Sequence, residues 1–156
     1  HNKLGGYTEI PDEYQEVMDR LARKHRAARN FVPPPVIERR AGATFGVVSL
    51  GGCDLAVREA LEVLATHGHL ADYMRVRGFP FSDTVDSFLR DHPFTFVVEQ
   101  NRDAQMHALL VNELGVDPAR LVKVLHYDGT PITARFITQA ILTHLQGATA
   151  SLKEAA

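Results

Sequence analysis

Four short apolar runs, each followed by residues at helical spacing, constrain the fold of this chain more than any other feature. The runs span residues 45–50, 71–76, 94–98 and 121–125. Strands that are separated by helices pair in parallel through right-handed crossovers, which cover both faces of the sheet with helices. The alternation therefore predicts an α/β domain, an open three-layer αβα sandwich with a mostly parallel sheet.

Local signals predict where several of these elements begin and end. The run 94–98 is the most apolar and is therefore predicted at the centre of the sheet. The helix after it is expected to begin near Asp103 and to stop at Gly115, because glycine readily adopts the left-handed conformation that often ends a helix. The last helix is predicted to begin with Thr130 as its cap and Pro131 in its first turn.

The segment before the first strand predicts a helix followed by an extended strap. Pro11 and the two acidic residues after it suit a helix start, and apolar side chains follow at helical spacing. Three prolines at residues 33–35 supply no backbone donors and hold an extended path. We predict a leading helix and proline-rich strap over residues 1–40, packed on an αβα body over residues 41–147. Small residues predict a flexible tail over residues 148–156.

Composition narrows the classes of function. The 156 residues, 45% of them hydrophobic, are enough for one compact domain. A formal charge of -2 and a pI near 6.5 argue against a nucleic-acid or anionic-membrane partner that binds a basic face. The single cysteine, Cys53, excludes an intrachain disulfide and a four-thiolate iron–sulfur cluster. No apolar run approaches the roughly 20 residues of a membrane span. We therefore expect a cytoplasmic protein with no nucleic-acid or membrane partner.

A polar run directly follows the most apolar strand. In open parallel α/β sheets, ligands and partner chains bind beyond the carboxyl ends of the strands, where the loops of several strands meet. We therefore predict a contact surface at this edge, and no catalytic, cofactor-binding or metal-binding residue. The candidate interface residues are Glu99, Gln100, Asn101, Arg102 and Asp103 after the third strand, Gly51 and Gly52 after the first, and Asp128 and Thr130 after the fourth.

A nucleophile at Cys53 is an alternative interpretation of the first of these loops. A thiol at a helix N-terminus is acidified, and a sharp strand-to-helix turn can present a nucleophile. However, Leu55 stands where a nucleophile elbow needs glycine, and the spacing marks no histidine as the base. A tight turn with Asp54 as the helix cap is the simpler interpretation, and an anion bound by free amides at this turn or at Thr130 is a third.

Two other clusters have chemical interpretations that the spacing does not favour. His67 and His69 lie at a helix end and would need further metal ligands. Glu99, Arg102 and Asp103 could form an acid–base set, but an exposed charge cluster more often forms an interface or a cap.

Four stretches of the sequence carry a family resemblance. They span residues 47–52, 75–81, 97–105 and 127–136. With them in this order, residues 7–145 resemble the carboxyl-terminal part of the alpha subunit of 2-oxoacid:ferredoxin oxidoreductases, most closely the 2-oxoglutarate type. The resemblance implies a transketolase carboxyl-terminal-like fold with a mixed sheet of about five strands, of which the periodicity locates four.

The resemblance also implies a role. The whole complex would oxidatively decarboxylate a 2-oxoacid to an acyl-CoA, using thiamine diphosphate, magnesium and an iron–sulfur cluster bound in other domains, with coenzyme A as a substrate. This chain would hold no cofactor and would be inactive alone. It would serve as a structural and assembly domain whose partners are the remaining alpha-subunit domains and the beta subunit, with ferredoxin meeting the whole complex.

Two alternatives stay open at this point. One is the end domain of another thiamine enzyme, a transketolase or an oxoacid dehydrogenase beta subunit, although the run 99–103 favours the ferredoxin type. The other is a hydrolase that depends on Cys53, which stands where small or hydroxyl residues are usual in the family.

Overall fold

The described part of the chain contains five α-helices, five strands and two short 3-10 helices at Gly51–Cys53 and Pro118–Arg120. The computed structural model describes the backbone of residues 1–154 and the side chains of residues 1–147. The helices are α1 (Pro11–Ala28), α2 (Asp54–Thr66), α3 (Asp83–Asp91), α4 (Gln105–Leu114) and α5 (Ala134–Glu154). The strands are β1 (Val36–Glu38), β2 (Phe45–Leu50), β3 (Ala71–Val76), β4 (Thr95–Glu99) and β5 (Leu121–Leu125). None of the described helices is long and apolar enough to cross a membrane.

The sheet is mixed and mostly parallel. Its strand order is β1-β3-β2-β4-β5, with β1 antiparallel to β3 and every other pair parallel. The predicted αβα sandwich and its four parallel strands are therefore confirmed. The middle of the sheet belongs to β2, however, and not to the run 94–98, because β1 adds a fifth strand on the far side of β3. β4 lies next to the middle and all of its residues are buried.

The fifth strand lies inside the segment that was predicted as a strap. β1 follows the prolines directly, and Val36 pairs with Arg75 while Glu38 pairs with Tyr73. Three residues are too few to show the period-two alternation that marks a strand, so periodicity could not locate it. Residues 36–38 therefore belong to the sheet, although they fall within the predicted 1–40 segment.

Helices pack on both faces of the sheet and form two cores. Successive residues of a strand point to opposite faces, so Val47 joins the core under α2 and α5 while Val48 joins the core under α3 and α4. The largest buried side chains include Phe45, Phe96 and Ile141 in the first core and Met74, Phe88 and Leu110 in the second. Each such side chain contributes roughly 1.5–3 kcal/mol by its removal from water.

The start of the last helix differs from the prediction. α5 begins at Ala134, and the hydroxyl oxygen of Thr133 accepts a hydrogen bond from the Phe136 N–H at 3.2 Å. Thr130 does not cap it, because both its N–H and its hydroxyl donate to the Asp128 carboxylate, at 2.8 and 2.7 Å. Asp128 thereby closes a local turn that competes with the helix for these residues.

The predicted leading helix is present, and it contacts the body through its final turn. The ring of His25 lies 5.8 Å from that of Phe79, and Arg29 forms an ion pair with Asp83 at 2.9 Å. The strap packs against Gly78, where an added Cβ would stand 2.8 Å from Val32. α5 continues through Glu154, so the backbone of residues 148–154 of the predicted tail is helical, and residues 155–156 lie outside the described residues.

Candidate functional site

The carboxyl edge of the sheet brings the predicted candidate residues into one region. Gln100, just after β4, connects the three loops that meet there. Its Oε1 accepts a hydrogen bond from the backbone N–H of Ile132, after β5, at 3.1 Å. Its Nε2 lies 3.5 Å from the place where a Cβ would stand on Gly52, after β2. The loops after β2, β4 and β5 therefore form one continuous surface.

Glu99 is not part of that surface. Its side chain is fully buried, with 0% exposed, and its carboxylate accepts hydrogen bonds from the N–H groups of Met106 and His107 at 2.7 and 2.9 Å. These are among the first N–H groups of α4, which have no partner within the helix. The predicted interface role of Glu99 is therefore wrong, because the carboxylate turns inward to cap α4 from the end of β4.

The loop between β4 and α4 is held from the inside. Asn101 donates from Nδ2 to the Glu99 carboxylate at 2.7 Å and accepts from the Gln105 N–H at 3.3 Å. Ala104 adopts a left-handed conformation with φ of 53°, which costs a non-glycine residue roughly 1 kcal/mol. Such strain persists only where the surroundings enforce it, and here the capped helix does so.

The outer side of the same loop carries an exposed ion pair. Arg102 Nε lies 2.8 Å from Asp103 Oδ1, and the two side chains are 74% and 58% exposed. A pair this exposed adds little to stability. Arg102 and Asp103 are therefore free to exchange their mutual contact for contacts with another chain.

The loop after β5 presents a second carboxylate. Hydrogen bonds from Thr130 lower the pKa of Asp128, whose Oδ1 also lies 3.4 Å from His126 Nε2. Asp128 remains 65% exposed at its side chain. Tyr127, its neighbour, is 64% exposed. This corner of the edge therefore offers an anionic group beside an exposed aromatic ring.

A partly buried polar network under the β2 loop was not predicted from the sequence. The Tyr73 hydroxyl donates to Asp54 Oδ1 at 2.8 Å and lies 2.7 Å from the Ser49 hydroxyl. Arg58 and Arg75 also donate to Asp54, at 3.1 and 3.4 Å. Burial raises the pKa of Tyr73 well above its ordinary value. Asp54 therefore anchors the loop after β2 and is not the predicted helix cap. The only sequence signal of this network was the alternation in β3 that places Tyr73 inside the protein.

Cys53 does not have the surroundings of a nucleophile. Its side chain is 2% exposed, and burial raises the pKa of its thiol despite a hydrogen bond from Gln100. A thiolate at this position is therefore disfavoured at neutral pH.

The histidines at the end of α2 are not gathered with other ligands. His67 Nδ1 lies 2.9 Å from the Val63 carbonyl oxygen. Among the described residues, no group of three or more His, Cys, Asp or Glu side chains could hold a metal ion.

A groove of about 810 Å³ adjoins the contact surface, next to β3 and α4. Its lining includes Leu50, Phe79 and Leu109, which are 37%, 41% and 38% exposed, together with Arg77. Apolar side chains at a sheet edge whose loops are otherwise polar are typical of a surface that contacts another protein segment.

Comparison with known proteins bears on the fold. No family model matches the sequence, and no curated protein matches it. A solved 2-oxoglutarate:ferredoxin oxidoreductase from Magnetococcus marinus, with 2-oxoglutarate, coenzyme A and succinyl-CoA bound, matches over 92% of this chain with a TM-score of 0.79 and 20% identity. A split-gene transketolase, an inactive beta4 tetramer, matches over 72% of this chain with a TM-score of 0.59 and 18% identity.

The chain has a transketolase carboxyl-terminal-like fold. It spans 25% of the Magnetococcus marinus chain and 41% of the transketolase chain. Each of those proteins is therefore much longer than the part that this chain resembles.

Proposed function

We propose that this chain is the carboxyl-terminal structural and assembly domain of the alpha subunit of a thiamine-dependent 2-oxoacid:ferredoxin oxidoreductase, most like the 2-oxoglutarate type. The observation that carries the proposal is the agreement between four ordered sequence stretches and the fold match over 92% of the chain. A fold alone does not define a function. The four sequence stretches favour this family over other proteins that have the same fold.

The chemistry of such a complex would take place outside this chain. Thiamine diphosphate with magnesium would decarboxylate the 2-oxoacid, an iron–sulfur cluster would pass electrons to ferredoxin, and coenzyme A would accept the acyl group. The residues here do not fit these groups, because the chain has one cysteine and its described side chains offer no metal-binding cluster. In this proposal the chain alone is inactive, and the complex acts in the cytoplasm.

The carboxyl edge is the proposed docking surface for the remaining alpha-subunit domains and the beta subunit. Its exposed residues are Gln100, Arg102, Asp103, Gly51, Gly52, Asp128 and Thr130, with Asn101 half-buried among them. Glu99, Asn101 and Gln100 hold the loops in place, and the exposed charges give the surface its specificity. Ferredoxin meets the whole complex and not this domain alone.

A transketolase is the second candidate, because the same fold match extends to one over 72% of this chain. The oxidoreductase structure matches a larger share of this chain than the transketolase does, and the run 99–103 also favours the ferredoxin-dependent type. The complete gene and its neighbours distinguish the two: the proposal requires a thiamine-binding region and a beta chain, and their absence overturns it.

Two binding experiments test the proposal on the protein itself. Calorimetric titration of this chain with thiamine diphosphate and magnesium should give no binding heat. In the complete complex, Arg102→Glu should weaken association of the subunits while leaving the folded domain intact, because Arg102 is exposed. Lys3→Glu, a matched charge change far along the chain, serves as the control. Clear binding of thiamine diphosphate would contradict the proposal that the chemistry takes place outside this chain. Subunit association that Arg102→Glu leaves unchanged would contradict the proposed contact at this edge.

A further inference from the structure

The leading helix α1 carries an apolar stripe that the body of this chain leaves exposed. Tyr14, Met18 and Leu21 are 55%, 46% and 47% exposed, and Ile10, directly before the helix, is 56% exposed. No residue of α1 is buried, and the whole helix lies in the described part of the chain. Isolated apolar side chains on a surface are ordinary, but a row at helical spacing marks a contact face.

Charge is divided between the two halves of α1. The acidic residues of the first half are Asp12, Glu13, Glu16 and Asp19, and the basic residues of the second half are Arg20, Arg23, Lys24 and Arg26. This order suits the helix dipole, which favours anions at the N-terminus and cations at the C-terminus. The same division makes the helix complementary in charge to an antiparallel copy of itself. The dipole acts only on the first and last turns, so it does not explain why the change of sign falls at mid-helix, between Asp19 and Arg20.

We infer that α1 pairs antiparallel with α1 of a second copy of this chain, about a twofold axis close to the level of Asp19. Ile10, Tyr14, Val17 and Leu21 follow the alternating spacing of four and three residues that forms the seam between paired helices. In the antiparallel register, Val17 faces Leu21 of the second copy. A twofold contact uses the same patch on both copies, as this one does.

The charges beside the seam choose the orientation. Glu13 and Lys24 lie on the same flank of the apolar stripe, as their positions on a helix of 3.6 residues per turn require. Antiparallel pairing sets Glu13 beside Lys24 of the second copy, twice per pair. Parallel pairing would set Glu13 beside Glu13 and Lys24 beside Lys24, which is unfavourable.

The contacts of α1 with its own body leave room for this pairing. His25 and Arg29, in and just after the last turn, make the ring contact and the ion pair that join the helix to the body. The helix is about 27 Å long from its 18 residues, so its face is smaller than the roughly 800 Å² per partner of a standard interface. The isolated chain therefore associates weakly. The inference does not depend on the proposed oxidoreductase.

A charge exchange between copies tests the pairing. Sedimentation of the 156-residue chain over a range of concentrations should show a reversible dimer. Glu13→Lys and Lys24→Glu should each weaken dimer formation by about tenfold, because each turns two attractive contacts into repulsive ones. An equimolar mixture of the two variants should associate as strongly as the native chain, since opposite charges face each other again. Glu16→Lys makes the same charge change on the face away from the stripe and should have little effect.

Directed disulfide formation tests the orientation. Glu13→Cys and Lys24→Cys each add one cysteine beside the apolar stripe to a chain whose native Cys53 is buried. Oxidation of an equimolar mixture should link mainly the two different variants. Lys24 is exposed, but Glu13 is half-buried and accepts a hydrogen bond from the Thr8 hydroxyl at 2.6 Å. Circular dichroism of each variant should show that the fold is kept before its association is compared.

Three results would overturn the pairing. The first is a native chain that stays monomeric, together with cysteine variants that form no mixed disulfide. The second is a mixture of the two charge variants that associates no more strongly than either variant alone. The third is disulfide formation only between identical variants. None of them bears on thiamine binding or on the neighbouring genes, so failure of this inference and failure of the proposed function remain distinguishable.

Discussion

The two edges of the sheet each bury a carboxylate, and they satisfy it in different ways. At the carboxyl edge, Glu99 accepts from two backbone N–H groups at the start of α4 and from an amide side chain. At the amino edge, Asp72 accepts from Arg39 at 2.8 Å and from His92 Nε2 at 3.1 Å, as well as from the Arg40 N–H at 2.8 Å. Glu99 is satisfied by backbone and amide groups alone, and Asp72 by a guanidinium group, a histidine ring and one backbone N–H.

The two edges also differ in what their arginine side chains contact. At the amino edge, Arg39 pairs with Asp72 and Asp91, and Arg120 donates to backbone carbonyls such as those of Leu89 and Pro93, both at 3.2 Å. These guanidinium groups serve the fold. At the carboxyl edge, the ion pairs of the described residues link Arg102 only to its sequence neighbour Asp103, and Arg102 stays exposed. In the loop after β4, closure by backbone and amide donors therefore leaves Arg102 exposed, whereas the β2 loop at the same edge is closed by Arg58 and Arg75 on Asp54.

The largest effect is expected at the buried carboxylate of the carboxyl edge. Glu99→Ala should lower the free energy of unfolding by about 3 kcal/mol, because the N–H groups of Met106 and His107 lose their acceptor at roughly 1–3 kcal/mol each. Urea unfolding followed by circular dichroism measures this loss. Glu99→Gln keeps one acceptor oxygen and should lose less. A loss below about 1 kcal/mol for the alanine variant would show that α4 does not depend on this cap.

The carboxylate of the amino edge should make a smaller contribution that depends on pH. Burial alone would raise the pKa of Asp72, but hydrogen bonds from the Arg40 N–H, Arg39 and His92 outweigh it and lower the pKa. A carboxyl group with a lowered folded-state pKa stabilises the protein above its unfolded pKa, and this contribution is lost as the pH falls through the folded-state pKa. Asp72→Asn should therefore cost about 2 kcal/mol at neutral pH.

Acid unfolding gives the control for this prediction. The native chain should lose stability as the pH falls below about 4, and Asp72→Asn should lose less over the same window. Asp128 also has a lowered pKa but is exposed, so Asp128→Asn should leave the acid loss nearly unchanged. Identical pH profiles for the native chain and Asp72→Asn would contradict the account of the amino edge.

The smallest effect concerns the backbone of the β2 loop at the carboxyl edge. Gly51 has φ of 59°, so Gly51→Ala should cost about 1 kcal/mol through the left-handed conformation alone. Gly52 lacks a positive φ, and its nearest neighbour would stand 3.5 Å from an added Cβ, so Gly52→Ala should cost less. Thermal unfolding of the two variants makes the comparison, and equal losses would show that the loop conformation is not what constrains Gly51.

Much of the fold could be predicted from the sequence because its signals are local. The runs at 45–50, 71–76, 94–98 and 121–125 each became a parallel strand, and Gly115 ended its helix with φ of 62° as expected. The shared edge at which the candidate loops meet also followed from topology, since the ends of parallel strands must lie together, and its role as an interface stays a prediction. Three-residue β1 carried too little pattern to be found.

The sequence by itself determined the alternation of strands and helices, and with it the layers, the parallel pairing and the edge at which the loops meet, because periodicity and crossover handedness act over neighbouring residues. Only the tertiary structure decided that Glu99 turns inward while Arg102 and Asp103 stay outside, that Asp54 anchors Tyr73 instead of capping a helix, and that Asp128 takes Thr130 away from α5. The physical reason is competition for hydrogen bonds, because an acidic side chain accepts from whichever donors the fold brings near it. Some of those donors are distant in sequence, and the nearby ones cannot be told apart by the sequence alone.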